Sequence, residues 1–71
     1  MTQDAFDSLA ALIRLQDGPS RDAARMVLVD QVPPGEAARR TGLTPAGVSN
    51  VVTRARRGTE LARRVVAGLA Q

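Results

Sequence analysis

Apolar positions recur at helical spacing along most of the chain. Phe6, Leu9, Ala10 and Ile13 fall at i, i+3, i+4 and i+7, the stripe of an amphipathic helix. Thr2 reads as its N-cap, and Asp4 and Asp7 place negative charge near the helix N-terminus, where the backbone dipole favours it. This helix is expected to run to about Gln16, where Asp17-Gly18-Pro19 breaks it. Ser20 is expected to cap a second helix with Asp22 in its first turn. Ala23, Ala24, Val27 and Leu28 would form its buried side, with Met26 filling the core or an interface. Val27-Leu28-Val29 alone has strand character, but the capped, alanine-rich run before it favours helix, ending by Asp30. Val32-Pro33-Pro34 then forms a link.

The pattern tightens between Pro33 and Arg57. It reads as two short helices, Gly35 to Thr41 and Pro45 to Arg57, joined by a tight turn. Gly42 stands where the chain must reverse, which calls for a positive φ. Thr44 is placed as an N-cap, and Pro45 at the first helical position, where its missing N–H is not needed. Ala38 is small enough for the helices to approach, and Leu43, Val48 and Val51 supply contacts across the angle. This is the spacing of a helix-turn-helix, whose second helix enters the major groove of DNA. An ordinary helical hairpin with a glycine turn has the same local signals. After Arg57, Gly58 reads as a helix stop and Thr59 as a fresh N-cap followed by Glu60. Leu61, Ala62, Val65, Val66 and Leu69 would give a last helix, to about Ala70, a broad apolar face. The expected fold is all-α: a small five-helix domain containing a helix-turn-helix over residues 1–58, then a C-terminal helix, 59–71, as a candidate dimerisation element.

On a helical wheel at about 100° per residue, Val48, Val51, Val52 and Ala55 share one side of the Pro45–Arg57 helix. Ala46, Asn50, Thr53 and Arg57 share the opposite side, flanked by Ser49, Arg54 and Arg56. Elsewhere Ser49, Asn50 and Thr53 would be an ordinary solvated face. In this motif they are candidate reading residues. The Asn50 amide both donates and accepts, as a two-point contact with adenine requires. Thr53 offers a hydroxyl, or a methyl to thymine. Arg54, Arg56 and Arg57 would neutralise phosphates or reach guanine. Thr44, Pro45 and Ala46 complete the candidate DNA-binding set at the helix start.

Charge sharpens this picture. All ten cations are arginine, and the formal net charge is +3. Residues 1–30 hold five aspartates against three arginines, a net of −2, whereas residues 31–71 hold seven arginines against two glutamates, a net of +5. The basic half is the half with the turn motif, which suits a polyanion. The 71 residues make one small domain whose apolar fraction of 44% includes a single aromatic, Phe6. Such a core stabilises by only a few kcal/mol, so a partner subunit would help. Without cysteine or histidine there are no disulfides, thiol nucleophiles or usual zinc sites. No cofactor or metal is expected. There is no Gly-rich phosphate loop and little room for an enclosed pocket, so an enzyme is not expected either. No apolar run approaches a membrane span, and a cytoplasmic, plasmid- or nucleoid-associated location is expected.

Residues 24–54 resemble the DNA-binding core of the KorA (TrfB-type) plasmid transcriptional repressors. The likeness rests on Ala24-Arg25, Val27-Leu28-Val29-Asp30, Pro33, Ala38, Gly42-Leu43-Thr44, Val48-Ser49, Val52 and Arg54, with Met1-Thr2 and Phe6 also similar. The resemblance implies a helical operator-binding domain, a palindromic site and repression by blocking promoter access. Two departures matter. The family pattern has Arg after the Thr of the turn and Gln after the Ser, where this chain has Pro45 and Asn50, so a different operator is expected. KorA also carries a separate dimerisation region, a task for which this sequence offers the helix after Thr59.

The sequence therefore points first to a sequence-specific repressor, a homodimer on double-stranded operator DNA. GLTPAGVSNVVTRARR is also similar to the promoter-reading end of sigma factors, which would make the chain an activator or polymerase-bound module. A small protein-interaction adaptor or antitoxin is a third reading, and it predicts no appreciable duplex affinity near physiological salt.

Overall fold

The computed structural model describes residues 1–70. Those residues form four α-helices and no strand: α1 (Gln3–Leu12), α2 (Pro19–Leu28), α3 (Pro34–Thr41) and α4 (Pro45–Leu69). Among them no helix is long and apolar enough to cross a membrane.

α1 starts as its sequence dictates, with the Thr2 hydroxyl accepting from the Ala5 N–H at 3.1 Å. It ends four residues before the expected Gln16. Arg14 turns left-handed at φ 56°, and the Leu15 N–H then reaches back to the Ala10 carbonyl at 2.8 Å. This closure folds Leu15 under the helix end, where it is buried with Phe6 and Ala10. Burying that leucine outweighs continuing the helix into solvent.

The cap of α2 is also corrected. Pro19, not Ser20, opens the helix, because its fixed φ suits the first position; Gly18 precedes it at φ 145° and makes no side-chain cap bond. Gly42, at φ 75°, ends α3 in the left-handed conformation anticipated for it. The Thr44 hydroxyl accepts from the Gly47 N–H at 3.0 Å, and Pro45 takes the first position of α4.

The largest departure is at Gly58. One 25-residue helix replaces the expected fourth and fifth. Gly58 does not stop it because the residue is buried where α1 crosses α4. A Cβ there would stand 2.6 Å from Cγ2 of Ile13 and 3.1 Å from Cδ1 of Leu9. The glycine serves close packing rather than a chain reversal. Thr59 is correspondingly no N-cap: its hydroxyl donates to the Ala55 carbonyl one turn back. No break marks the division at 58/59, and Gln71 of the expected last element lies outside the described residues.

Two apolar clusters hold the helices. Phe6, Ala10, Leu15, Ala24 and Val51 join α1, α2 and α4. Ala23, Ala37, Ala38, Val48 and Val52 join α2, α3 and α4, with Leu43 of the turn packed against them. Three alanines in the second cluster let the helices approach closely, and Val48 is fully buried between them. Val27 and Leu28, expected to be buried, are only half-buried. α4 runs on beyond these clusters, and the molecule measures 44 × 21 × 20 Å.

Candidate nucleic-acid interface

The N-terminal half of α4 is held on one side and open on the other. Val48, Val51, Val52 and Ala55 are buried in the clusters. Thr44, Pro45, Ala46, Ser49, Asn50, Thr53, Arg54, Arg56 and Arg57 are all exposed. The buried valines fix the rotation of the helix, so Asn50, Thr53 and Arg57 project away from the body. Ala46 and Ser49 add no bulk near the helix start.

Two of the nine residues are already engaged. The Thr44 hydroxyl caps the helix through Gly47. Arg54 sits at the edge of the open face, and its guanidinium donates to the Ile13 carbonyl at the end of α1. A cation at a helix C-terminus satisfies a carbonyl that has lost its intrahelical donor. Arg54 thus ties α1 to α4, and contact with DNA would have to compete with that bond.

The arginines divide by their partners. Glu36, in the first turn of α3, pairs with both Arg39 and Arg40; Arg64 pairs with Glu60 at 2.9 Å. In the acidic half, Arg21 pairs with Asp7 and Asp17, and Arg25 with Asp30. Among the described residues Arg14, Arg54, Arg56, Arg57 and Arg63 pair with no carboxylate; Arg14 lies just after α1 and Arg54 is bonded to the Ile13 carbonyl, which leaves Arg56, Arg57 and Arg63 exposed together on α4. Their charge is not internally neutralised, as contact with a polyanion requires.

The unbroken helix also changes which arginines act together. Residues seven apart lie two turns apart on nearly the same side, about 10 Å along the axis. Arg56 therefore aligns with Arg63, and Arg57 with Arg64. A chain break at Gly58 would have separated these pairs. Arg63 and Arg64 are expected from the sequence to lie on the solvent side of the last helix or to reach phosphates; of the two, Arg64 is paired with Glu60, and helix continuity places Arg63 in line with Arg56 as a fourth candidate cation.

Comparison with protein-family models, with curated proteins and with solved structures finds no match for this chain.

Proposed function

We propose that this chain is a non-enzymatic, sequence-specific DNA-binding protein that uses α3, the Gly42–Thr44 turn and the start of α4 as a helix-turn-helix. The observation that carries this reading is the exposed face of α4. It presents Asn50 and Thr53 outward beside the unpaired Arg56 and Arg57, while Val48 and Val52 anchor the opposite side. Asn50 supplies the adenine-type contact and Thr53 the thymine or hydroxyl contact. Arg56, Arg57 and Arg63 supply phosphate neutralisation. Two copies on an inverted repeat would cover promoter DNA and repress by exclusion. The likeness of residues 24–54 to KorA-type plasmid repressors supports the same mechanism, with Pro45 and Asn50 giving a different operator.

Selection of bound duplexes from a random pool tests this reading. A two-fold symmetric consensus is expected. Recovery of unrelated sequences with no common half-site would refute sequence-specific reading.

A further inference from the structure

The link between α1 and α2 and the middle of α4 border a pocket of about 360 Å³. Arg14, Gln16, Asp17, Gly18, Ser20 and Arg54 line it. Two of the five arginines that pair with no carboxylate among the described residues therefore share one space. Residues 1–30 are the acidic part of the chain, and the other two arginines there, Arg21 and Arg25, are both paired. Arg14 is the exception.

Local bonds hold both guanidinium groups at the pocket. Arg54 donates to the Ile13 carbonyl, whose carbon is joined to the Arg14 nitrogen. Its head thus ends one peptide unit from the Arg14 backbone, at the left-handed turn that leads out of α1. Asp17 is the only carboxylate among the lining residues, and it is already paired with Arg21 at 3.7 Å. Arg21 also donates to the Leu15 carbonyl at 3.2 Å, which fixes the same link from the α2 side. Two like charges are held at one pocket without a counter-ion of their own, and an anion relieves that arrangement.

A guanidinium carries five N–H donors in a planar fork, and Ile13 takes one of those of Arg54. Competition between DNA and that bond concerns this donor alone. The others can meet an anion in the pocket while α1 stays tied to α4. Two such forks match the several oxygens of a phosphate group. Ser20 adds a hydroxyl donor at the same pocket. Position indicates which phosphate is met. Arg54 follows Asn50 by one turn of α4, about 6 Å along the axis and about 40° around it. The pocket therefore adjoins the edge of the proposed reading face, where the sugar–phosphate backbone passes a helix lying in the groove.

We infer that this pocket binds a phosphate group of the DNA backbone, with Arg14 and Arg54 as its cations and Ser20 as a hydroxyl donor. The two guanidinium groups, not the end of α2, carry its charge. The contact reads no sequence; it sets the angle at which α4 lies in the groove. It extends the interface to the α1–α2 link through Arg14, which is outside the nine-residue set. The source of the phosphate rests on the proposed DNA reading, whereas the phosphate chemistry of the pocket is tested without DNA.

Three variants of the full chain are compared with the unaltered one, with far-UV circular dichroism to check folding. Arg14→Gly removes the charge and suits the left-handed backbone. Ser20→Asp puts a carboxylate in the first turn of α2, which the helix dipole favours, yet it opposes an anion in the pocket. Arg25→Ala, near the other end of α2, is the control for loss of a charge. Fluorescence anisotropy reads affinity for a random-sequence duplex across a salt series. Arg14→Gly and Ser20→Asp are each expected to flatten the salt dependence by about one phosphate contact, so their deficit grows about eightfold for each tenfold fall in salt. An equal loss in Arg25→Ala would overturn the inference, and so would a loss in only one of the two pocket variants. The second measurement is the thermal midpoint without DNA, in inorganic pyrophosphate against sodium chloride of equal ionic strength. Unchanged salt dependence, with a pyrophosphate rise that Ser20→Asp lacks, would keep the phosphate site and overturn its DNA source. Unchanged salt dependence without that rise would overturn the site. An unaltered chain that binds no duplex would refute the DNA reading by itself. The pyrophosphate rise would then uphold the pocket as a phosphate site, and its absence would overturn it.

Discussion

Gly58 of α4 lies directly against Ile13 at the end of α1, leaving no space for a side chain between them. Alanine is the better helix former by about 1 kcal/mol at an unconstrained site. At Gly58 its methyl would have to displace Ile13 and Leu9, and overpacking of that kind costs about 1–3 kcal/mol. Gly58→Ala is therefore expected to lower the thermal midpoint. Gly68, in the same helix, has nothing within 4 Å of its Cβ position. Gly68→Ala is expected to be neutral or stabilising. A raised midpoint for Gly58→Ala would mean that Ile13 and Leu9 do not close on Gly58 in solution.

Arg54 and Arg56 are both exposed cations on α4, but only Arg54 reaches another helix, through the Ile13 carbonyl. Arg54→Ala is expected to destabilise the fold by about 0.5–1.5 kcal/mol, the net worth of such a hydrogen bond. Arg56→Ala should leave the midpoint within about 0.5 kcal/mol of its original stability, as surface substitutions do. Paired denaturant titrations separate the two. Equal effects would mean that the Arg54 bond contributes nothing measurable.

Asn50 and Arg57 are assigned different roles in DNA binding. Asn50→Ala is expected to cost about 1–3 kcal/mol and to relax preference at one base position. Arg57→Ala should weaken specific and random duplexes alike and reduce the salt slope by about one. Fluorescence anisotropy at several salt concentrations reads both quantities. Identical losses on specific and random DNA for the two variants would contradict the division of roles.

α4 runs from the proposed reading face to its exposed apolar end without a break, and about 22 Å of helix separates Asn50 from Val65. If two copies bind as proposed, an unbroken rod would hold their two reading faces at one separation. Duplexes selected from a random pool should then show a single spacer length between half-sites, near one turn of DNA. Several spacer lengths of equal frequency would mean a hinge that the continuous helix does not provide.

The Thr44 hydroxyl holds the first turn of α4 through the Gly47 N–H. Thr44→Ala is expected to cost about 1 kcal/mol of stability. Thr44→Ser keeps the oxygen and should recover most of it. Chemical denaturation of the three chains checks this, and a Thr44→Ser variant as weak as Thr44→Ala would remove the cap as the cause.

Several features followed from short stretches of sequence alone. The turn at Gly42, the Thr44 cap and Pro45 at the first position of α4 each depend on a few neighbouring residues. The periodicity of Phe6, Leu9, Ala10, Val48, Val51 and Val52 marked residues that are buried. It also placed Asn50, Thr53 and Arg57 on the outward side. Composition likewise gave the basic half, since charge needs no fold to be counted.

Tertiary structure decided what depended on distant atoms. A glycine that ends a helix and a glycine that admits a neighbour look the same in sequence. Only the arrival of Ile13 and Leu9 at Gly58 makes α4 one helix instead of two. The same contact aligns Arg63 with Arg56 along one helix. The left-handed turn at Arg14 exists because it buries Leu15 against Phe6 and Ala10, and Arg54 finds its acceptor only once α1 has ended there. Local pattern chooses helix or turn where nearby residues supply the free energy; where packing supplies it, the outcome rests with side chains far along the chain.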